Sequence, residues 1–575
     1  MTEISEATPD SSFSWVGSMD EAEEQLLRQY EEQLDKYHES LPLWGHSRPE
    51  AIYAVMAIQD LAFLPFYLSP TPPVQTGARA QRIKGLEEGA AQALRWLTDT
   101  GCTSVRSVAD RDLMDAAQQF CVHASNYVWI ADLHIVYGHR WATARVDAQS
   151  STVTFDIAEG PGQDDALAWH EQTREQENRG MDIARKMKAS DVTRGEQLLS
   201  GVKSELVDGH IHLEKFPHDL IEKTRGAVPF GKDLELLPLS PATDMLGFTM
   251  GEFWSFMETI TVWSQIAFRR CCDCVTQGVP LHKCTPTQIV PEDRFVDQVM
   301  ALSHLSAASV QMILDRLIFR PSRKADILLT PFLRGESSIC WSPMGIMKYA
   351  HQRNLLKVMS RGTKVLHDHA ATVNGERDRV LGRLIAKEFT RQGYQFNLNT
   401  PVAADGESTD VDVLLYQTGR PDEILIIEAK ALIAPDEINE VYDATQALIY
   451  AQKQVRRAMR ILRGMPGAEK QQKFRFVRWD RVVQCYGAVV TTDAEAHWMI
   501  DQREVPVLTY NSLRWRFRPR DLRYPSRFWS SCVERPWQAS EIRVEEYGHL
   551  EIKVGDIVYR VPVSLASVNG ESGVS

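Results

Sequence analysis

The sequence has no long hydrophobic run. No eighteen consecutive uncharged apolar residues occur in its 575 positions, so no membrane span is predicted. No signal peptide is expected either: "MTEISEATPDSSFSW" is acidic and polar, without the basic start and apolar core of one. Cysteines are sparse and unevenly spaced, nine in all, which suits a reducing cytoplasm better than a disulfide framework. No internal repeat is visible. What remains, 43% hydrophobic and 25% charged residues, describes a soluble globular chain, long enough for two to four domains.

The net charge of −13 is unevenly spread. Residues 351–530 carry 28 Lys and Arg against 22 Asp and Glu, while the remainder carries 36 against 55. Whole-chain acidity therefore does not exclude a nucleic-acid partner for the basic part.

Residues 1–18 read as a disordered tail. From 19 to about 365 the pattern is mostly helical, in one or two domains of unassigned role. Helices are expected within 19–97, at about 110–136, 166–200, 249–270, 292–318 and 344–358, with a short β-like patch at 151–162. After about 365 helix and strand alternate. Val380, Leu381, Leu384, Ile385 and Phe389 share one helix face, and Gly393 ends that helix. Strands follow at "YQFNLNT", 410–416 and 424–430. A long helix capped by Asp436 then runs to about Leu462, and strands "YGAVVTT" and "VPVLTY" flank a helix near 493–501. The order αβββαβ suits a mixed sheet with helices on both faces. The fold class expected is therefore α+β and multidomain.

The chemistry concentrates in "DVDVLLYQTGRPDEILIIEAK", Asp410 to Lys430. The first strand begins with acids and the second ends in an acid and a lysine. Strand side chains repeat every two residues, so Glu428 and Lys430 share a side and Ala429 faces away. Carboxylates from two neighbouring strand ends can hold a divalent cation such as Mg²⁺. The lysine beside them can orient a water or offset charge on a phosphate.

"STDVDVLLY…EILIIEAKA" resembles the core of the PD-(D/E)XK nuclease superfamily, the restriction-endonuclease-like fold of Mrr and RecB-type enzymes. The resemblance covers roughly residues 370–512. It implies a nuclease-like domain over 366–515, followed at 516–575 by a basic, aromatic segment and a β-hairpin extension. It implies Asp412 and Glu428 as ligands of Mg²⁺ or Mn²⁺, with Asp410 as an accessory acid. Glu376, in "NGERDRVLG", stands where the family often has a helix glutamate, and is implied as a further ligand. Lys430 takes the family's lysine position. Gln446 and Tyr450 match the Gln-x-x-x-Tyr of the RecB-type branch, and their i,i+4 spacing puts both on one helix face. No proline precedes the acid, as in many branches. A second acid-x-Lys triplet, Glu551 to Lys553, has no acid-bearing strand before it and reads as a surface hairpin.

Basic residues near this motif supply candidate phosphate contacts. Lys453, Arg456, Arg457 and Arg460 lie on the long helix, and Arg514, Arg516 and Arg518 open the stretch "RWRFRPRDLRYPSRFW". A solvated helix face and a core-covering edge are the ordinary readings of the two. "CCDCVTQGVPLHKC" offers Cys271, Cys274, His282 and Cys284 as a candidate structural zinc set, against free thiols at a helical corner. "VDGHIHLEK" contains a His-x-His string, but the barrel that amidohydrolases build around one is missing.

The expectation is a cytoplasmic, metal-dependent endonuclease that hydrolyses phosphodiester bonds of nucleic acid, DNA foremost. Its helical region would select substrate or bind a protein partner. Family analogy suggests a setting in defence, including antiviral defence, or repair. The competing expectation is a non-catalytic scaffold that binds nucleic acid or protein through a nuclease-like fold.

Overall fold

The computed structural model describes residues 21–62, 64, 89–99, 101–138, 142–157, 197, 201–213, 216–217, 219–224, 235–321, 326–347, 349, 351–433, 438–492, 504–515, 517–534 and 547–564. The expected tail at 1–18, the helices at 166–200 and 493–501, the Asp436 cap and Arg516 lie outside these residues. The chain is a mixed helix-and-sheet structure. Among the described residues no helix is long and apolar enough to cross a membrane.

The N-terminal part is built around the helix Met250–Thr276. Thr249 starts it: its hydroxyl accepts the Glu252 N–H while the Glu252 carboxylate accepts the Thr249 N–H. Beyond this cap the helix is apolar on most sides and is buried accordingly. Its Phe256 and Trp263 pack on Phe295, Phe332 and Trp341. Helices Glu292–Ser303, Ala307–Leu317 and His351–Ser360 share its core, while Arg48–Leu61 and Arg111–Gly138 pack together in a second one.

This part also holds short strands: β1 (Ala142–Asp147), β2 (Thr152–Ile157), β3 (Ser204–Val207), β4 (His210–Leu213), β5 (Gln288–Pro291), β6 (Phe332–Arg334) and β7 (Ser338–Trp341). Of these the sequence reading anticipated only the patch at 151–162. Strands of three to six residues are too short to display a period-two pattern.

The motif region forms one five-stranded sheet, ordered β12-β11-β10-β9-β8. Its strands are β8 (Gln395–Ala404), β9 (Glu407–Tyr416), β10 (Glu423–Lys430), β11 (Gln484–Thr491) and β12 (Val507–Thr509). β8, β9 and β10 form an antiparallel meander, and β11 and β12 add in parallel to β10. Helix Lys364–Thr390 covers one face through Leu381, Ile385 and Phe389. Helix Ile438–Gly464 covers the other: Leu448 and Val455 lie over β11 and β12, and Ile461 and Leu462 over β8 and β9.

The C-terminal hairpin, β13 (Tyr547–Val554) and β14 (Ile557–Ser564), does not extend this sheet. β14 pairs in parallel with β2, giving a separate sheet ordered β1-β2-β14-β13. The reason is its alternation. Ile552, Val554, Ile557, Tyr559 and Val561 need a buried face, and Leu27, Leu34, Ile130 and Phe155 supply it. Glu551 stays outside and pairs with Arg560.

Several contacts join the parts: Ala370 and Val373 of helix Lys364–Thr390 share the core of helix Met250–Thr276. Leu236 and Leu237 enter the core beneath β9 and β10, and Gln352 holds that segment by bonds to Leu237 O and Leu239 N. Lys357 and Arg361, on helix His351–Ser360, both pair with Glu440 at the start of helix Ile438–Gly464.

Candidate active site

β10 ends with its alternation intact. Ile427 and Ala429 face helix Lys364–Thr390, where Gly382 keeps the helix close: a Cβ there would stand 3.4 Å from Val413 Cγ2. Glu428 and Lys430 therefore project from the opposite face. β9 behaves differently. Val411 and Val413, two residues apart, belong to cores on opposite faces of the sheet, so the strand turns over at Asp412. Asn399, between the β8 residues paired with Val411 and Val413, has a left-handed φ of 47°. Such local irregularity re-aims a side chain at a sheet edge. Asp412 Oδ2 thereby accepts the Ala429 N–H at 2.9 Å.

Lys430 Nζ lies 2.8 Å from Glu428 Oε1, whose side chain is only 5% exposed. This is a buried pair rather than a solvated strand end. Burial, followed by the Asp412 charge, pushes the Glu428 carboxyl up to about 7 against the pull of Lys430. Burial also raises Asp412, although the Ala429 amide and Lys430 oppose it. Burial works against the charge on Lys430. Its pKa is nonetheless raised, because Glu428, Asp378 and Asp412 together outweigh that effect.

Asp378 is the acid that sequence reasoning missed. It sits on helix Lys364–Thr390, and its Oδ1 accepts the Ala431 N–H at 2.5 Å. Glu376, the residue expected in this role, is exposed and makes no hydrogen bond to the cluster among the described ones. Two residues turn a helix through about 200°, so the two acids cannot face the same way. A signal was available. Asp378 precedes the fully buried Leu381 and Ile385 by three and seven residues, whereas Glu376 lines up with the half-buried Val380. The neighbouring Arg377 is buried. Its Nη1 donates to Asn374 Oδ1 at 2.7 Å and to Ala431 O at 3.4 Å.

The remaining candidates are dispersed. Gln446 and Tyr450 lie on the exposed side of their helix, Tyr450 at 61%, outside the hydrogen-bonded cluster. Asp410 and Lys453 are exposed. Arg456 pairs with Glu504 at 2.7 Å, and Arg460 grips Glu407 with both Nε and Nη2. The Nε of Arg457 is buried without a partner. In the aromatic stretch Phe517 and Phe528 enter the core, while Arg514 and Arg518 stay outside. Arg514 lies 5.9 Å from the Tyr510 ring.

Cys271 donates its thiol to the Cys284 carbonyl at 2.7 Å, and the Cys284 thiol reaches the Pro280 carbonyl at 3.4 Å. All nine cysteines are free thiols. Among the described residues, no three or more His, Cys, Asp or Glu side chains are grouped as a ready ion cage. The acid cluster nonetheless has donor chemistry suited to a hard cation. Asp378, Asp412 and Glu428 each commit one oxygen, to the Ala431 amide, the Ala429 amide and Lys430 respectively. Among the described hydrogen bonds, the second oxygen of each is left over.

No protein-family model, curated protein or solved structure matches the chain.

Proposed function

We propose that the sheet β8–β12 and its two helices form a metal-dependent nuclease domain of the PD-(D/E)XK kind. It would hydrolyse phosphodiester bonds within nucleic acid, DNA foremost. One observation carries this reading: a lysine and three acids from three elements meet at the end of β10, with Lys430 held 2.8 Å from Glu428. Asp378, Asp412 and Glu428 would hold Mg²⁺ or Mn²⁺. That ion would lower the pKa of an attacking water and polarise the phosphoryl oxygen.

The chain's own groups do the rest. The Lys430 ammonium, kept charged by its acidic neighbours, offsets negative charge that builds on the phosphoryl oxygens in the transition state. Asp412 and Asp378 pin the amides of Ala429 and Ala431, so the backbone is fixed on both sides of Lys430. The ammonium is thus positioned before substrate arrives. The N-terminal part would select substrate or bind a partner, coupled to this domain through Glu440.

A second reading is a binding scaffold without catalysis. It is favoured by the same hydrogen bonds, since each acid is already partly satisfied within the protein. Incubation of the purified protein with plasmid, linear duplex and single strands, in Mg²⁺ or in EDTA, separates the two. Cleavage in Mg²⁺ that stops in EDTA and in Lys430→Ala supports the nuclease. Binding with no cleavage by the wild type supports the scaffold.

A further inference from the structure

Residues 453–481 hold ten Lys and Arg against two Asp and Glu, within a chain of net charge −13. Not all of this charge is free. Arg456 and Arg460 are neutralised by Glu504 and Glu407. The excess lies further on. Arg463, Arg475, Arg478 and Arg481 are exposed and have no ion-pair partner among the described residues. These four arginines fall within nineteen positions that hold two acids, Glu469 and Asp480, so the stretch keeps a net positive charge.

The segment that carries them is firmly seated. Phe474 and Val477 are buried in the core between the sheet and helix Ile438–Gly464. Trp479 packs on Phe474, with the Lys470 ammonium 5.5 Å from its ring centroid. Tight turns close from Val477 N to Phe474 O and from Arg481 N to Arg478 O. Buried and exposed positions thus alternate along a backbone that packing holds in place, and the arginines occupy the exposed ones.

Its position relative to the acid cluster is defined. Lys473 Nζ donates to Pro401 O and Lys473 O accepts from Asn397 Nδ2. On β8, Pro401 stands opposite Asp410 and Asn397 opposite Leu414. Lys473 is thus anchored on edge strand β8 at the level of Asp412, and from there the segment runs to Val483 and Gln484, whose N–H groups donate to Asp422 O beside the start of β10. Arg475, Arg478 and Arg481 lie between these two anchors, toward the end of β10 opposite Lys430.

We infer that this surface, formed by Arg463, Arg475, Arg478 and Arg481, binds the phosphate backbone of a nucleic acid. Guanidinium forks suit phosphate oxygens, and an array in which arginines outnumber acids suits a repeating anion. The inference goes beyond the catalytic reading, because it uses none of the cluster's acids and would stand if they were inert.

The test compares the wild type with Arg475→Gln/Arg478→Gln/Arg481→Gln in EDTA. Anisotropy of labelled duplex DNA, duplex RNA and single-stranded DNA is read across a salt series. With a slope near 0.9 per phosphate contact, three lost contacts lower the slope of log K against log salt by about 2.7. The wild type's advantage should then shrink about 40-fold between about 50 and about 200 mM salt. The three arms identify the preferred backbone. The triple Arg→Lys variant keeps the charge and should keep the slope, which separates phosphate binding from a loss of packing. Equal slopes for wild type and Gln variant, or no binding by the wild type to any arm, would overturn the inference. So would displacement of the nucleic acid by charge-matched polyglutamate as readily as by unlabelled nucleic acid, since that describes an acidic protein partner. A wild type that binds with the expected slope yet never cleaves in Mg²⁺ would leave this surface standing and remove the nuclease. Cleavage with unchanged slopes would do the reverse.

Discussion

Asp378 reaches from its helix to take the backbone N–H of Ala431, while the adjacent Arg377 donates to the carbonyl of the same residue. Two consecutive helix residues thus grip both polar groups of one peptide position, immediately beyond Lys430. The grip links the helix to the strand end on which the proposed chemistry depends.

Replacing Asp378 with Asn should therefore cut turnover by about 10²-fold or more, the scale of losing one group that acts in the transition state. Glu376→Gln, on the exposed side, should cleave at the wild-type rate. Single-turnover plasmid cleavage in Mg²⁺ measures both, and equal activity of the two variants would return the role to Glu376.

Lys430→Ala and Asp412→Asn should abolish cleavage and leave nucleic-acid binding largely intact. Binding draws on many dispersed cations, each with a modest, salt-sensitive share. The lysine and the acids contribute mainly in the transition state. Affinities at matched salt, beside cleavage rates, check the separation. A Lys430→Ala variant cutting at the wild-type rate would refute the mechanism.

The join between the two parts should be sensitive at Glu440. Its removal takes one carboxylate from Lys357, which is only 3% exposed, and from Arg361. Glu440→Ala should cost about 2–3 kcal/mol, below the usual range for a fully buried pair because Glu440 is partly exposed. Pairing it with Lys357→Met should recover part of the loss, since the buried ammonium that Glu440 offsets is gone. Urea denaturation of the three proteins decides it, and an additive double mutant would show the pair to be incidental.

Asp60 predicts a pH dependence far from the proposed site. It is fully buried and accepts bonds from Thr287 Oγ1, Ser342 Oγ and Met344 N. Burial still pushes its carboxyl up to about 7. The folded state then holds a proton that the unfolded chain releases near pH 4. Stability from this group is complete below about pH 4, declines as pH rises to about 7, and is level above that. Asp60→Asn should flatten that slope in urea midpoints taken across the range, whereas an unchanged slope would place the titration elsewhere.

Much of the motif sheet was legible because its signals are local. The alternation in "EILIIEAK" marks β10, and the face formed by Leu381, Ile385 and Phe389 marks the helix before it. What could not be read depends on distant partners. Arg456 and Arg460 looked like free phosphate contacts because Glu504 and Glu407, about fifty residues away in sequence, are invisible to periodicity. Asp378 was not legible because Glu376 also fits the family's helix position, and only the packing of Leu381 and Ile385 decides which acid faces the sheet. The sheet β5-β7-β6 rests on the pairing of β5 with β7, which no short window contains.

The pairing of Thr152 with Val558 sets an order of events as the chain is made. β2 must wait for roughly 400 residues of synthesis before its parallel neighbour exists, and non-local pairings of this kind are the slow ones. Until then Val153 and Phe155 lack the cover of Tyr559 and Val561, and one edge of the β1–β2 ribbon stays open. A ribosome-bound or truncated chain ending before residue 547 would present that edge to another chain. These late strands therefore act as a seal, and losing them invites strand-to-strand association between molecules.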